Sequence, residues 1–223
     1  PFLKYVASTG KPILMSTGAH STEEIQTAVQ TLRQNGVEEL ALFHCVSAYP
    51  TPMNKINIRA IDTLREVFSV PVGLSDHTTD PVVAPCAAVS RGAAMVEKHF
   101  TLDRSMEGPD HSFALEPEEL EEMVRRIRQT EQALGDGQID VLDVESHTYD
   151  VARRSVHATR DIKSGEHITE KNTAVLRPGK QKKGVPPSEY HDILGSEAEH
   201  PITKDAGITW DDVNREPSSD ESG

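Results

Sequence analysis

The stretch A-M-V-E-K-H-F-T-L-D-R-S-M-E-G-P-D-H-S-F-A-L-E-P, from Ala94 to Pro117, decides how the chain is read. Ala94, Met95 and Val96 read as a buried strand. Glu97 and His99 stand two apart on its continuation, so their side chains point the same way. A polar loop follows, marked by Gly108-Pro109 and carrying Asp110-His111. Glu116-Pro117-Glu118-Glu119 then opens a helix, with Pro suited to the first turn and the acids suited to its dipole. An acid and an imidazole at the C-terminal end of a parallel strand occupy the place where α/β barrels carry their chemistry. A strand with a charged end and a solvated loop is the competing reading, and the rest of the chain has to weigh the two.

Upstream, the pattern repeats. Lys11 to Thr17 is a short apolar strand closed by Gly18, and Ser21 with Glu24 three residues later fits a capping box. That helix runs to about Gln34 and stops at Asn35-Gly36. Glu39 to Ser47 is a second strand, followed by a stiff Tyr49-Pro50-Thr51-Pro52 loop and a helix over Ile58 to Phe68. Val70 to Leu74 is a third strand, running into Ser75-Asp76-His77, and Pro81 to Ser90 a third helix. Downstream, Glu118 to Leu134 is a fourth helix, with Leu120, Val124, Ile127 and Leu134 on its inner side. Apolar strands alternating with helices imply an α/β fold, a parallel sheet covered on both faces. Four units make either a small doubly wound sheet or the C-terminal half of a (β/α)8 TIM-type barrel. The half barrel is favoured because polar residues follow every strand: Ser16; Ser47 and Tyr49; Ser75 and His77; Glu97 and His99.

The half barrel accounts for residues 1–134, and residues 135–150 read as a linker. Residues 151–214 form a second, small, β-rich domain, with strand-like runs at Ser155–Ala158 and Ala174–Leu176. Residues 215–223 are acidic, Ser-rich and expected to be disordered.

Composition sets the outer bounds. A net charge of −13 over 223 residues argues against a nucleic-acid surface, and no apolar run is long enough to span a membrane. Cys45 and Cys86 have neither metal nor redox spacing, so reduced thiols in the cytoplasm are the expectation. The chain begins at Pro1, which fits a fragment or a processed product.

His77 and His99 are the sharpest chemical signal. Each ends one of two neighbouring strands with an acid nearby, Asp76 or Glu97, and two imidazoles suit a divalent transition metal. A structural role for each is the alternative. His44 reads as core, and His20, His157, His167, His191 and His200 read as solvated surface. Ser16-Thr17-Gly18 offers donors to a phosphate ahead of a helix, or is ordinary turn chemistry. Tyr49 is a binding side chain or loop packing. Arg177, in L-R-P-G, either grips a carboxylate or stays solvated.

Three motifs in order, H-C-V-S-A-Y-P-T-P (His44–Pro52), G-L-S-D-H-T (Gly73–Thr78) and E-K-H-F-T-L-D-R…G-P-D-H-S-F-A-L-E-P (Glu97–Pro117), resemble the N-acetylneuraminate (sialic acid) synthase family. Ala152 to Val213, with A-R-R-S-V, L-R-P-G and I-T-W-D-D, resembles that family's antifreeze-like (SAF) domain. The resemblance implies a barrel enzyme that condenses phosphoenolpyruvate with an N-acetylated hexose, N-acetylmannosamine or a relative, and releases phosphate. It implies His77 and His99 as ligands of a divalent metal, Mn²⁺ with Mg²⁺ or Co²⁺ as alternatives. Glu97 and Asp110 become catalytic contacts to the sugar. Ser16, Ser47, Tyr49, Ser75 and Arg177 become substrate contacts. It also implies a homodimer with exchanged SAF domains.

Ser47 stands where sialic acid enzymes carry Asn, which leaves legionaminic and pseudaminic acid precursors open as acceptors. The family barrel has eight strands and this chain matches it from about the fifth, so the isolated chain is expected to be incomplete. Two other readings stand beside the synthase: a metal-dependent aldolase or lyase on the same barrel, and a non-catalytic fragment whose small domain binds carbohydrate or a partner.

Overall fold

The computed structural model describes residues 1–214. The chain divides into two compact units, Pro1–Gln138 and Ile139 onward. The expected disorder of 215–223 lies outside the described residues.

The first unit is α/β. A short helix, α1 (Phe2–Ala7), leads into four strand–helix units. They are β1 (Ile13–Ser16) with α2 (Thr22–Gln34), β2 (Leu40–Cys45) with α3 (Ala60–Phe68), β3 (Val72–Asp76) with α4 (Val83–Ser90), and β4 (Val96–Lys98) with α5 (Pro117–Leu134). The strands lie in the order β1-β2-β3-β4, all parallel, so each crossover moves one position along the sheet. This is the arrangement of half a barrel. The capping box at Ser21 is present in full: Ser21 Oγ accepts from Glu24 N, and Glu24 Oε2 accepts from Ser21 N.

Register sorts the side chains into two faces. Partnered residues on parallel strands point the same way. Ile13 with Leu40, Leu42 with Val72, and Leu74 with Val96 therefore share the helix-covered face. There Leu32, Leu42, Ile61 and Leu74 are fully buried in one core. The opposite face carries Ser16 with Phe43, Cys45 with Ser75, and Ser75 with Glu97. Ser16, Ser75 and Glu97 of the sequence reading fall on that second face, whereas Asp76 falls on the helix-covered one.

Two expectations need correction, one in this unit and one at the start of the next. In α5, Val124 and Leu134 are about half exposed and Met123 is the buried residue. Helical spacing allows i+3 or i+4 from Leu120, and packing selects i+3. The stretch read as linker is also partly structured, since α6 (Ser146–Ala152) spans its end.

The second unit has two antiparallel pairs. One is β5 (Ser155–Ala158) with β6 (Thr173–Leu176). The short helix α7 (Tyr190–Ile193) precedes β7 (Glu197–Ala198), which pairs with β8 (Val213–Asn214). Val156, Ile162, Ile168, Ile193 and Ile208 form its core. The segments around Gly184 and Gly207 pack so tightly that a Cβ on Gly184 would lie 2.0 Å from Val156 O. His157, expected at the surface, is 1% exposed. Its Nε2 meets Ser155 Oγ at 2.8 Å and its Nδ1 meets Asp205 O at 2.9 Å. The unit is too small to leave β5 a solvent face, so its polar alternation is absorbed by internal hydrogen bonds.

Candidate active site

Parallel register brings together what the sequence spaces apart. Ser75 and Glu97 are direct partners on β3 and β4. His77 and His99 each lie two residues further on, and their ring centroids are 5.2 Å apart. Tyr49, from the loop after β2, stacks against His77 at 4.2 Å and faces His99 edge-on at 5.9 Å. Phe113 closes the group, 5.0 Å from His99 and 5.6 Å from Tyr49. Phe113 is buried and comes from the loop read as polar, so the sequence reading missed it.

Hydrogen bonds fix the aim of these rings. His77 Nδ1 is 2.9 Å from Val46 O. A carbonyl only accepts, so Nδ1 carries a proton, and in the neutral ring the lone pair is on Nε2. Thr51 holds the same loop: its N–H donates to His77 O at 2.8 Å and its hydroxyl to Ala48 O at 2.8 Å. His99 Nδ1 stands 3.8 Å from Asp110 Oδ2. Ser75 donates its hydroxyl to Glu97 Oε1 at 2.6 Å. Ser75 therefore commits its proton to one oxygen of Glu97.

Ser16 and Ser47 lie on the adjoining strand ends. A Cβ on Gly18 would sit 2.3 Å from Ser47 Oγ and 2.8 Å from Cys45 Sγ, so the missing side chain lets the β1 loop close over Ser47. Arg177 lies exposed just past β6 in the second unit. The structure thus brings His77, His99, Glu97, Ser75, Tyr49 and Asp110 into one cluster on the first unit, with Ser16 and Ser47 on the neighbouring strands.

The loop that carries Asp110 is stapled to α5. Arg104 N donates to Glu116 Oε1 at 3.0 Å, Arg104 Nε to Ala114 O at 2.8 Å, and its guanidinium pairs with Glu119. That pairing holds the Glu119 carboxyl below its ordinary range, against the opposing effect of partial burial, and raises the guanidinium further. Asp103 on the same loop is also lowered, first by its side-chain bond from Ser105.

Among the described residues, no group of three or more His, Cys, Asp or Glu side chains is poised to share one ion. The donor set at the strand ends is two imidazoles with carboxylates close by. Two neutral imidazole nitrogens fit a divalent transition metal whose remaining positions are taken by water and substrate.

Residues 1–139 match the NeuB family, and residues 153–214 match the SAF domain. The chain belongs to the NeuB family. It is 39% identical to the spore coat polysaccharide biosynthesis protein SpsE of Bacillus subtilis, over 96% of this chain and 61% of that protein. It is 40% identical to the N,N'-diacetyllegionaminic acid synthase of Campylobacter jejuni, over 87% of this chain and 58% of that one. A putative spore coat polysaccharide biosynthesis protein E from Chromobacterium violaceum superposes with a TM-score of 0.72 at 28% identity, covering 96% of this chain and 64% of that structure. The chain spans less than two thirds of the length of these family members. Among the described residues no helix is long and apolar enough to cross a membrane.

Proposed function

We propose that the protein to which this chain belongs condenses phosphoenolpyruvate with an N-acetylated amino sugar, releasing phosphate and forming a nonulosonate. The observation that carries this reading is the pair His77 and His99, 5.2 Å apart, beside Glu97 and Asp110 in a NeuB-family chain. Membership of a family that includes a legionaminic acid synthase supports the reaction class.

In this reading His77 and His99 hold a divalent cation, Mn²⁺ in our proposal. Once bound, that ion would supply Lewis-acid polarisation of the sugar aldehyde. The rest of the chemistry belongs to the side chains. Glu97 and Asp110 accept hydroxyls of the open-chain sugar and fix its carbonyl against the incoming carbon nucleophile. Glu97 is the better placed to exchange a proton there, because Ser75 anchors only one of its oxygens. Tyr49 and Phe113 line the site with an aromatic wall. Ser16 and Ser47 are proposed as donors to the phosphate or carboxylate of phosphoenolpyruvate. A cytoplasmic homodimer in which Arg177 contacts the sugar is part of the same proposal.

The test uses the full-length protein with Mn²⁺, phosphoenolpyruvate and, in turn, N-acetylmannosamine and a diacetamido-trideoxyhexose. Phosphate and a nine-carbon keto acid should form in equal amounts with one of the sugars. Cleavage of a nonulosonate to pyruvate and sugar without any use of phosphoenolpyruvate would instead assign an aldolase.

A further inference from the structure

The sheet's register pairs Asp76 with Lys98, one step beyond Ser75 and Glu97. The step turns both side chains away from the site and under the helices. There Lys98 Nζ lies 2.7 Å from Asp76 Oδ2, with the two side chains 3% and 0% exposed. The pair is completed by a single residue, Thr78. Asp76 accepts from Thr78 N at 2.9 Å and from Thr78 Oγ1 at 3.1 Å, and Lys98 donates to Thr78 O at 2.5 Å. His77 is thus bracketed by two members of this network, and His99 directly follows the third. Among the described residues no buried side-chain polar atom is left without a partner, so the network is fully satisfied.

A buried ion pair is a poor device for stability alone. Desolvation offsets most of its attraction, and an apolar pair of similar volume often serves as well. What a charged, hydrogen-bonded pair adds is fixed geometry. Here the geometry it fixes is that of two neighbouring strand ends, at the residue adjoining each imidazole.

We propose that Asp76 and Lys98 are positioning residues, a buried ionic clamp on β3 and β4 that sets the spacing and aim of His77 and His99 for one divalent cation. The inference rests on the metal reading proposed above. Thr78 is the clamp's third arm, and the Val46 carbonyl sets the ring rotation of His77 independently. Groups hydrogen-bonded directly to metal-binding histidines typically govern affinity by about 10–100-fold, and a clamp that acts through the adjoining residue is expected at the low end of that range.

The test loads the full-length protein with Mn²⁺ alone. It measures affinity by the loss of the free-ion EPR signal and counts coupled imidazole nitrogens by pulsed EPR. The variants are Asp76→Asn, which removes the charge with little change of shape, and the apolar pair Asp76→Leu with Lys98→Met, which removes both charges with side chains of the same branching and similar length. Melting in chelator reports folding separately from ligation. The wild type should show two coupled imidazoles. The apolar pair should melt close to wild type, and Asp76→Asn should melt lower because it leaves the buried Lys98 charge unpaired. Both, at temperatures where they are folded, should bind Mn²⁺ about 10-fold or more weakly and lose one imidazole or show mixed coupling. Folded variants with wild-type affinity and two coupled imidazoles would make the pair ordinary packing and overturn the clamp, leaving the metal reading intact. A wild type with no coupled imidazole would overturn the metal reading and the clamp with it.

Discussion

Ser75 on β3 gives its hydroxyl proton to Glu97 on β4 across 2.6 Å, on the face of the sheet that carries the site. The bond holds Glu97 in one rotamer and ties it to the strand that carries His77. Glu97→Gln keeps the shape and removes the basic oxygen. It should lower kcat by about 100-fold or more with a smaller change in KM, as expected for a group moving a proton in the transition state. Ser75→Ala leaves the carboxylate in place and only loosens it. A loss of about 10-fold is expected, and steady-state kinetics on the two variants should rank them in that order.

Gly73 lies on β3 where the sheet has no room for a methyl group. A Cβ there would come within 2.7 Å of Met95 O and 2.8 Å of the Phe43 ring. The carbonyl belongs to the sheet ladder and cannot move aside, since Leu74 N donates to it at 2.9 Å. Gly73→Ala should therefore destabilise by about 1–3 kcal/mol, the usual cost of overpacking. Trimming the ring with Phe43→Leu should recover only part of that, because the carbonyl clash persists. Urea unfolding of the single and double variants checks both statements.

Much of the first unit is legible in the sequence because its signals are local. The Ser21 capping box, the apolar runs of the strands and the polar residue after each strand all act within a few positions. The meeting of His77 with His99 follows once the strands are parallel and adjacent. What escapes the sequence depends on contacts between distant segments. Phe113 is a single aromatic in a polar loop, and only the chain's return to β4 makes it a wall of the site. Asp76 reads in the sequence as an acid beside His77, yet it pairs with Lys98 one register step from the site residues, and both fall beneath the helices. His157 alternates with Val156 as a surface residue would, yet the second unit covers β5 on both sides. Val124 and Met123 satisfy the same helical spacing, and packing alone decides between them.

The second unit offers a prediction independent of catalysis. Gly184 faces Val156 O and Ile208 with no space for a Cβ, the nearest approach being 2.0 Å. Ile208 N donates to Val156 O, Val156 N to Val185 O and Val185 N to Ile208 O beside this glycine, so backbone would have to move. Gly184→Ala should unfold this unit selectively. Amide exchange should lose protection over residues 153–214 while the core around Leu42 and Leu74 keeps its own.

The staple between Arg104 and Glu119 makes the Asp110 loop sensitive to acid. The Glu119 carboxyl is held below the ordinary 4.5 of a free glutamate, first by its hydrogen bond from Arg104. A depressed folded-state value means the folded protein favours the ionised form. The resulting stability is fully present above about pH 4.5 and is lost as pH falls through the lowered value. Both side chains are about one-third exposed, so solvent screens the pair and its effect is local rather than global. The expected outcome is loosening of residues 101–116 below pH 4.5 ahead of the core, seen as earlier loss of amide protection in that loop. Glu119→Gln should show the looser loop already at pH 7 and a smaller further change over the acidic window, the remainder coming from Asp103. Because the loop carries Asp110, the same variant should raise KM for the sugar more than KM for phosphoenolpyruvate. An unchanged sugar KM alongside a loosened loop would separate Asp110 from sugar binding.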